Sequence, residues 1–550
     1  MNDGTATAFA PEGVAVDGPL DPMDAPDTAL TRVSGADFPR SRYNRSIFDA
    51  LLRSRSKAGG SKICIIDADG RELTYDQLVQ GAFALGNALK AHARKGEKVA
   101  ILLPTGAGAA IAFFALQAYG RIPAMLNFTA GPRALKAACK AAEAKTIITA
   151  RKFIELGGLD SLAESLGETL NLVYLEDVRD NLTWKDKAMA AAGSYLPFLV
   201  AAHPDPDDTA VVLFTSGTEG DPKGVALSHI NLVSNCEQAA AHVDIFETDI
   251  CFNPLPTFHC FGLTGGLLLP LLVGIPAVLH PSPLQAKTIA KRVGETKSTI
   301  LFATDTFLNQ YARNADPDDL KTLRFAVCGA ERVKDETRAL VRKMFSLDIL
   351  EGYGATEASP VIAVNQPGRN RPGTVGTLLP GMEGKLEPVE GITGAGRLWV
   401  RGPNIMSGYI YTTEPGKVVE PAGGWHDTGD ICSIDEDGYI AIRGRMKRFA
   451  KIGGEMVSLA VVENCATSIW PDDLHAAVTL PDARKGEQII LLTACKNADR
   501  AEFVAFTRNH GVAELSIPKK IVAVEEIPVL GTGKIDYVAV EKMAKDATGG

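Results

Sequence analysis

The feature that most constrains the fold is a regular alternation of short apolar runs with helical segments along most of the chain. The run Lys98–Leu103 predicts a strand, and the segment Ala107–Tyr119 that follows it predicts a helix. Ala210–Phe214 is a predicted strand before a loop rich in glycine and threonine, and further strands are predicted at Leu323–Val327 and Asp348–Leu350. Apolar strands of this length that alternate with helices are typical of α/β layers. The sequence therefore predicts an α/β fold.

The length of the chain predicts more than one packed unit. It has 550 residues, of which 46% are apolar and 22% charged, a balance that is typical of globular proteins and excludes disordered or fibrous ones. Residues 1–40 are rich in Ala, Gly, Asp, Pro and Thr and are predicted to form a mobile tail. We expect a large domain over 41–446, with a β-rich part at 397–443, and a small α/β domain over 447–550.

Charge and cysteine content exclude several classes of protein. The chain has 57 basic and 66 acidic residues, a net charge of −9, so nucleic acid is not an expected partner. Its nine cysteines include no CxxC pair, which predicts neither a disulfide framework nor a four-thiolate zinc site. The N-terminus has no basic segment followed by an apolar signal core, so export is not expected. These observations predict a cytoplasmic protein.

Two uncharged stretches are long enough to suggest membrane spans. They are residues 99–120 and residues 261–279. The first contains Pro104 and Gly106, and the second contains Pro270, Pro276 and four glycines. Breakers at these places favour a buried strand–turn–helix over a spanning helix in both stretches.

The segment 215–224, with the sequence TSGTEGDPKG, follows the apolar strand Ala210–Phe214. Three glycines let the backbone approach a ligand closely, and their N–H groups can point at phosphate oxygens. Three hydroxyl groups add donors and Lys223 adds a positive charge. The segment does not match the GxxxxGK[ST] pattern, so it is not a Walker A loop. A polar surface turn is the alternative interpretation of this segment taken alone.

Four further segments follow it in the order of a known family. They are YGATE at 353–357, WHDTGD at 425–430, GRMKR at 444–448 and PVLGTGK at 528–534. Together with the 215–224 loop they resemble the adenylate-forming superfamily, which includes acyl-CoA synthetases and luciferases. The segments FHCFG at 258–262, EGY at 351–353, GPNIM at 402–406 and RFAK at 448–451 are similar to one branch of it. That branch is the acyl-carrier-protein synthetase part of a bifunctional 2-acylglycerophosphoethanolamine acyltransferase/acyl-ACP synthetase. The branch also has an acyltransferase domain with an HxxxxD site, whereas residues 1–40 contain no histidine.

The resemblance implies a large multi-subdomain adenylate-forming domain with a small hinged C-terminal lid, and it assigns the nucleotide site. The residues implied for the phosphates of ATP are Thr215, Ser216, Gly217, Thr218, Glu219, Gly220, Lys223 and Thr356. Those implied for adenine are Gly329, Ala330, Glu331, Tyr353 and Gly354, and those for ribose are Asp430 and Arg445. Glu357 and Thr218 are the implied contacts of Mg²⁺. The implied cofactors are ATP and Mg²⁺.

The resemblance also assigns residues to the two half-reactions. Lys534 would bridge the carboxylate and the α-phosphate during adenylation, and Lys447 would be the hinge of the C-terminal lid. Lys451 and Gly454 would lie on the side where the thiol enters. The resemblance implies that His259 closes the acyl pocket near the carboxylate, and this gate is favoured over a general base because adenylation of a carboxylate needs no proton removed. A lone histidine among apolar residues is more often structural, and this alternative stays open.

The implied function is ATP-dependent activation of a long-chain fatty acid through acyl-AMP and transfer to the thiol of acyl carrier protein. Coenzyme A as the acceptor stays open, and so does a non-catalytic acyl- or nucleotide-binding protein. The basic run formed by Arg443, Arg445, Lys447, Arg448 and Lys451 suggests a surface for an acidic carrier protein. Because fatty acids partition into lipid, peripheral contact with the inner membrane face is a further expectation.

Overall fold

The computed structural model describes residues 31–215, 222–452, 455–482, 486–529 and 535–548. The strands in chain order are β1 (Thr31–Ser34), β2 (Ile63–Ile66), β3 (Glu72–Thr74), β4 (Lys98–Ile101), β5 (Ile122–Met125), β6 (Thr146–Thr149), β7 (Asn171–Tyr174), β8 (Thr209–Thr215), β9 (Lys223–Ser228), β10 (Cys251–Asn253), β11 (Ala277–Leu279), β12 (Ile300–Ala303), β13 (Phe325–Cys328), β14 (Asp348–Gly354), β15 (Val361–Val364), β16 (Thr377–Leu378), β17 (Glu383–Pro388), β18 (Gly396–Arg401), β19 (Gly408–Tyr411), β20 (Glu414–Val419), β21 (His426–Ile434), β22 (Ile440–Arg445), β23 (Phe449–Ile452), β24 (Glu455–Ser458), β25 (His475–Asp482), β26 (Gly486–Thr493) and β27 (Lys520–Ala523).

Helices separate most of these strands. They are α1 (Ile47–Ala58), α2 (Tyr75–Ala88), α3 (Ala107–Ala118), α4 (Pro132–Ala142), α5 (Arg151–Gly157), α6 (Asp160–Gly167), α7 (Leu175–Asp180), α8 (Trp184–Tyr195), α9 (Pro197–Val200), α10 (His229–His242), α11 (Leu269–Val273), α12 (Ala286–Glu295), α13 (Asp305–Asn314), α14 (Asp335–Phe345), α15 (Leu459–Ile469), α16 (Arg500–Asn509) and α17 (Tyr537–Thr548). Short 3₁₀ turns occur at Thr356–Ala358 and Met446–Arg448, and Phe261–Leu268 is a π-helix.

The strands form four sheets. One has the order β20-β19-β9-β8-β5-β4-β6-β7 and another the order β16-β15-β14-β13-β12-β10-β11-β2-β3. Parallel pairs with helical connections form the middle of both, as in β4–β5 and β12–β13. The third sheet, β1-β17-β18-β21-β22, is antiparallel, and the fourth contains β23 to β27. The α/β prediction is therefore confirmed.

Helix α3 lies in the apolar core that the two large sheets share. It is apolar all round, and its small residues, such as Ala110 and Ala115, let neighbouring elements approach while Phe113 and Phe114 fill the remaining space. A helix without a polar face is stable only when it is buried on every side. α3 packs against α2, whose N-terminus is fixed by a capping box of Thr74 and Gln77. The core is thus continuous around this helix.

The two uncharged stretches have different structures. Residues 99–120 contain β4 and then α3, as predicted. In residues 261–279 the order is reversed, because a π-helix and α11 come first and β11 comes last. The strand–turn–helix prediction is therefore wrong for the second stretch. Over the described residues, no helix has both the length and the apolar character needed to cross a membrane.

The last ten residues of the predicted tail, 31–40, belong to the folded structure, whereas residues 1–30 lie outside the described residues. Thr31–Ser34 forms strand β1, which pairs with residues 383–386 of β17 in an antiparallel register. Phe38 and Tyr43 stack with their ring centroids 5.5 Å apart and are buried in the main core. The tail prediction is therefore wrong for residues 31–40, because the sequence before Tyr43 gives no periodic pattern from which one isolated edge strand can be predicted.

Strands β23 to β27 and helices α15 to α17 lie after residue 448 and form their own apolar clusters. One cluster includes Val462, Leu491 and Phe503, and another includes Ile490 and Val540. The 3₁₀ turn Met446–Arg448 connects this part to β22. The boundary at residue 447 stays a prediction, which this segregation of the clusters supports.

Candidate active site

The predicted phosphate loop connects two paired strands. Thr215 ends β8 and Lys223 begins β9, and the two residues are partners across this antiparallel pair. Ser216, Gly217, Thr218, Glu219 and Gly220 lie outside the described residues. Gly224 packs between β8 and β19, since a Cβ atom there would lie 3.1 Å from Val212 and 3.2 Å from Ile410. The two ends of the loop are therefore held by the sheet.

Lys223 lies beside two tyrosine rings. Its Nζ is 5.4 Å from the ring centroid of Tyr409 and 5.4 Å from that of Tyr411. Strand β19 carries both tyrosines and pairs directly with β9, with Tyr409 opposite Val225. A cation near aromatic faces is stabilised by the ring quadrupoles. The sheet therefore restricts the lysine ammonium at the end of the phosphate loop.

Tyr409 also contacts the predicted magnesium ligand. Its hydroxyl donates a hydrogen bond of 2.8 Å to Oε1 of Glu357, which lies in the 3₁₀ turn after β14. The backbone N–H of Met406 donates to the carbonyl oxygen of Glu357 at 2.8 Å. Burial, with the nearby Glu357 carboxylate, raises the pKa of Tyr409 above its ordinary value, so the phenol stays protonated and donates. Tyr409 thereby connects Glu357 to Lys223.

Glu357 has the chemistry that Mg²⁺ requires. Mg²⁺ is bound by oxygen ligands and often by one or two carboxylates together with substrate phosphates. The Glu357 carboxylate provides such oxygens, and Tyr409 fixes its orientation. Within the described ranges, no group of three or more His, Cys, Asp and Glu side chains has the arrangement of a metal site. One carboxylate beside a phosphate loop therefore fits a metal that would be shared with ATP.

Asp430 forms a buried connection between two sequence motifs. Tyr353, at the end of β14, donates a hydrogen bond of 2.5 Å to Oδ2 of Asp430. Nε of Arg445 is 3.2 Å from Oδ1, and Arg445 is opposite Asp430 in the β21–β22 pair. Burial raises the pKa of the Asp430 carboxyl group, and the charge of Arg445 opposes this rise. The structure therefore brings together the adenine residue Tyr353 and the ribose pair that the sequence predicted.

The other predicted adenine residues surround the end of β13. Gly329 approaches both β14 and an aromatic ring, because a Cβ atom there would lie 3.3 Å from the Phe261 ring and 3.4 Å from the carbonyl oxygen of Gly352. Ala330 adopts a left-handed conformation with φ of 68°. The Glu331 carboxylate accepts hydrogen bonds from the backbone N–H and hydroxyl of Thr306 at the start of α13. Glu331 therefore anchors α13, and its contact with adenine stays a prediction.

Gly354 and Thr356 flank the turn that carries Glu357. A Cβ atom at Gly354 would lie 2.2 Å from the carbonyl oxygen of Pro360, so a larger residue would displace the backbone. Thr356 begins the 3₁₀ turn Thr356–Ala358. Their predicted contacts with the nucleotide are consistent with this position and stay predictions.

His259 lies in an aromatic cluster immediately before the π-helix. Its ring centroid is 4.7 Å from that of Phe258, which in turn is 4.8 Å from Phe128. Phe261 and Phe302 form a second edge-to-face pair with centroids 5.5 Å apart. Phe261 also touches the Gly329 wall. The predicted acyl-pocket residue is thus part of an aromatic group beside the predicted adenine wall, and its gating role stays a prediction.

The basic run around the predicted hinge is mostly engaged within the molecule. Arg448 donates to Glu463 Oε1 and to the carbonyl oxygen of Ala477, each at 2.6 Å, and lies over the Tyr537 ring at 3.8 Å. Lys451 Nζ is 3.3 Å from Glu390. Lys447 is exposed in the turn Met446–Arg448. These contacts hold the Arg448 guanidinium group against the C-terminal unit, and the docking surface for a carrier protein stays a prediction.

Two further predicted residues, Gly454 and Lys534, lie outside the described ranges, as residues 216–220 do. The neighbouring described residues show where their segments begin and end: Ile452 and Glu455 are partners in the β23–β24 pair, and Val529 forms an isolated bridge with Ile535. The described residues on either side of each segment are thus paired with each other.

Comparison with known proteins identifies the family. The family model described as AMP-binding enzyme matches residues 52–410. The chain belongs to the AMP-binding enzyme family. Enzymes of this family use ATP with Mg²⁺, and this confirms the cofactor prediction. The branch that makes acyl thioesters on carrier proteins is not confirmed by the comparisons.

Similar members of the family include several ligases. The medium-chain fatty-acid–CoA ligase of Escherichia coli (strain K12) is 28% identical over 88% of each chain. Probable CoA ligase CCL5 of Humulus lupulus is 28% identical and covers 90% of this chain and 92% of its own. The crystal structure of anthranilate CoA ligase AuaEII with anthranoyl-AMP has a TM-score of 0.77 and 25% identity, with 93% of this chain and 99% of that chain covered. These matches confirm the predicted adenylate-forming fold.

Replacing Tyr409 by phenylalanine is expected to lower kcat/KM for ATP about 10- to 100-fold and to raise the Mg²⁺ concentration needed. The reason is that loss of a partner that orients a metal-binding carboxylate reduces metal affinity or activity by about this factor. The phenylalanine keeps the ring beside Lys223. Calorimetric titration of ATP at varied Mg²⁺ measures binding apart from turnover. Tyr411→Phe, which changes the other ring beside Lys223, is the matched control. Equal effects of the two substitutions would contradict the role of the Tyr409 hydroxyl.

Proposed function

We propose that this protein activates a fatty acid with ATP as acyl-AMP and transfers the acyl group to the thiol of coenzyme A, releasing AMP and pyrophosphate. The observation that carries the proposal is the buried Asp430 carboxylate, which Arg445 and Tyr353 hold in place. A fixed anion can accept hydrogen bonds from two neighbouring hydroxyl groups, as ribose provides. Lys223 at the end of the phosphate loop and the Glu357 carboxylate, both in contact with Tyr409, add the charged groups that ATP and Mg²⁺ need.

The first half-reaction joins two anions and therefore needs positive charge. An oxygen of the carboxylate attacks the α-phosphorus of ATP, the bond from this phosphorus to the bridging oxygen breaks, and pyrophosphate leaves. Thr215, Lys223 and the loop between them are proposed to bind the departing phosphates, and Lys534 is proposed to bridge the carboxylate and the α-phosphate. When bound at Glu357 and Thr218, Mg²⁺ would neutralise charge on the phosphate oxygens.

The second half-reaction needs access for a thiol. Its sulfur attacks the acyl carbonyl carbon, the bond from this carbon to the phosphate oxygen breaks, AMP leaves, and the thiol proton passes to solvent. We propose that the part after residue 447 rotates about Lys447 so that Lys451 and Gly454 line the thiol entrance in place of Lys534. The location of Lys447 in a short exposed turn between two sheets supports this, since hinges are few residues at element ends.

The acid is proposed to be a fatty acid. The aromatic cluster around Phe258 and the second pair formed by Phe261 and Phe302 offer apolar surface beside the predicted adenine wall. Two relatives that match most of the chain are named as ligases of medium-chain and long-chain fatty acids, at 28% and 27% identity. His259 is proposed to close this pocket near the carboxylate.

Coenzyme A is favoured over acyl carrier protein as the acceptor. The relatives named above are CoA ligases, and several others carry the same designation. The basic run that suggested a carrier-protein surface is weaker than its sequence indicates, because Arg448 is held by Glu463 and Lys451 pairs with Glu390. The motifs shared with the carrier-protein branch keep that acceptor as the second candidate.

A paired acceptor assay tests this choice. Full-length protein, ATP, Mg²⁺ and a labelled long-chain fatty acid are mixed with either coenzyme A or holo-acyl carrier protein at equal thiol concentration. The expected result is a thioester on coenzyme A and little on the carrier protein. Thioester on the carrier protein alone would contradict the acceptor but not the first half-reaction. Absence of both thioesters together with absence of pyrophosphate would contradict the proposed acid.

A further inference from the structure

Helix α8 carries an exposed apolar stripe that the nucleotide site does not use. Trp184, Ala188, Ala191 and Tyr195 recur at spacings of four, three and four residues and are exposed. At 3.6 residues per turn these four positions lie within about 60° of one another around the helix. Trp184 is 74% exposed and Tyr195 86%. The two large aromatic residues thus lie on the same face at opposite ends of the helix.

The stripe continues into the corner where α8 meets α9. Leu196, Phe198 and Leu199 are all among the exposed large apolar residues, and Leu199 is 80% exposed. We call these residues together with Trp184 and Tyr195 the α8–α9 stripe. Five side chains of this size present on the order of 600 Å² of surface. Apolar patches beyond a few hundred Å² mark sites of interaction with proteins or membranes.

The opposite face of α8 holds the stripe in its outward orientation. Asp186, Ala190 and Gly193 are buried against the body of the protein. Gly193 fits directly on the Phe83 ring of α2, where a Cβ atom would lie 2.3 Å from the ring. Arg55 donates to the carbonyl oxygen of Ser194 at 3.0 Å. The helix cannot turn its stripe inward without losing these contacts.

Charge around the stripe indicates its partner. Lys185 and Lys187 are exposed on its two sides, whereas the acid between them, Asp186, is buried and caps the helix through Thr183. A helix with an apolar face, Trp and Tyr at its edges and flanking lysines is typical of elements that lie in the interface of anionic membranes. The stripe is also smaller than the roughly 800 Å² per partner that a stable protein dimer buries. We propose that the α8–α9 stripe binds the surface of a bilayer containing anionic lipid.

The stripe lies near the end of β8 that is away from the phosphate loop. The N–H of Ala202, just after α9, donates to the carbonyl oxygen of Ala118, and Gln117 donates to the carbonyl oxygen of Ala210 at the start of β8. From Ala210, β8 runs to Thr215, a distance of about 17 Å, before the phosphate loop begins. Lipid at the stripe and nucleotide at the loop therefore occupy opposite ends of this strand, and the inference does not depend on the proposed substrate.

Sedimentation with vesicles tests the inference on the full chain. Vesicles of phosphatidylcholine and phosphatidylglycerol in equal parts are expected to bind the protein, with weaker binding at high salt. The triple change Trp184→Ser, Tyr195→Ser and Leu199→Ser is expected to lower the partition coefficient about 100-fold. The control combines Leu284→Ser with Val538→Ser, which removes exposed apolar residues elsewhere. Lys185→Glu with Lys187→Glu is expected to weaken binding to these vesicles while leaving binding to pure phosphatidylcholine unchanged.

Three results would overturn the inference. The first is no binding of the unaltered protein to either vesicle. The second is an equal loss of binding in the stripe variant and the Leu284 and Val538 control. The third is a dimer that the stripe variant converts to a monomer in sedimentation velocity with no effect of lipid, which would assign the stripe to a second copy of the chain. Circular dichroism of each variant verifies that the fold is retained.

Discussion

Replacing Asp430 by asparagine is expected to lower kcat/KM for ATP about 10²–10³-fold. The carboxylate would accept hydrogen bonds from two ribose hydroxyls, and hydrogen bonds to a charged group contribute about 1.5–3 kcal/mol each. Asparagine has the same shape but no charge, and Arg445 would lose its ionic partner. Steady-state kinetics with ATP varied at saturating fatty acid measures the loss. Calorimetry with AMP measures the same loss without turnover.

The matched control for this prediction is Asp435→Asn. Asp435 lies immediately after β21 and pairs with Arg371 at the surface, where both side chains are exposed. An exposed ion pair of this kind contributes about 0–1 kcal/mol. The control is therefore expected to keep kcat/KM within about threefold of the unaltered protein, which corresponds to less than 1 kcal/mol. Unchanged AMP binding in Asp430→Asn would contradict the assignment of Asp430 to the ribose.

Replacing Arg448 by methionine is expected to destabilise the part of the chain after residue 448 by about 3–5 kcal/mol. The guanidinium group joins Glu463, the carbonyl oxygen of Ala477 and the Tyr537 ring, and both charged side chains are largely buried. Removing one partner of a buried ion pair leaves the other charge uncompensated, and this is the physical reason for the size of the effect. Hydrogen exchange of backbone amides in β25 and β26 measures the change locally.

Lys451→Met provides the comparison for Arg448→Met. Lys451 is also part of the basic run, but its partner Glu390 is exposed, so the substitution is expected to cost no more than about 1 kcal/mol. Equal protection of the β25 and β26 amides from hydrogen exchange in both variants would show that the contact of Arg448 with Glu463 does not stabilise the part of the chain after residue 448. A carrier-protein surface is better tested at Lys451 than at Arg448, since charge reversal at Arg448 would change folding and binding together.

The sequence predicts the α/β architecture because strands and helices depend on local patterns of apolar and polar residues. The alternation of apolar runs with helices predicted strands and helices such as β4 and α3 close to their bounds. The order of motifs predicted that Tyr353, Asp430 and Arg445 belong to one site, and the structure joins them through bonds. The glycines of the 215–224 loop are predicted to let the backbone approach a ligand; Gly224 lies close to β8 and β19, and its approach to a ligand stays a prediction. The order of the motifs therefore predicts that Tyr353, Asp430 and Arg445 lie together.

The parts that the sequence did not reveal depend on pairing between distant segments. Tyr409 lies in a short strand outside the segments interpreted as nucleotide-binding, and only its register with β9 brings it to Lys223 and Glu357. In the sequence, only the Gly408–Tyr409 pair marks this tyrosine, and such pairs occur throughout proteins. The resemblance assigns Glu331 to adenine, and the sequence does not reveal that its carboxylate also accepts a hydrogen bond from Thr306.

Burial explains the remaining differences. The sequence shows five basic residues between 443 and 451 as one charged run. The structure gives Arg448 a buried acidic partner that is 15 residues away in the chain and leaves Lys447 exposed. The reversed order of helix and strand in residues 261–279 also depends on packing contacts that the sequence pattern does not show. Glycines 262 and 266 break a strand pattern in sequence, yet they allow a π-helix to pack on Pro256 and Asn253.

The measurement that tests the central claim most directly is exchange of labelled pyrophosphate into ATP in the absence of any thiol. Formation of acyl-AMP is reversible, so the protein with Mg²⁺ and a fatty acid is expected to catalyse this exchange. The exchange is expected to require the fatty acid, and to fall about 10²–10³-fold in Lys534→Ala, the effect of losing one charge contact in the transition state. Exchange that proceeds equally without a fatty acid, or no exchange with saturated acids of any chain length, would contradict an adenylating enzyme of fatty acids.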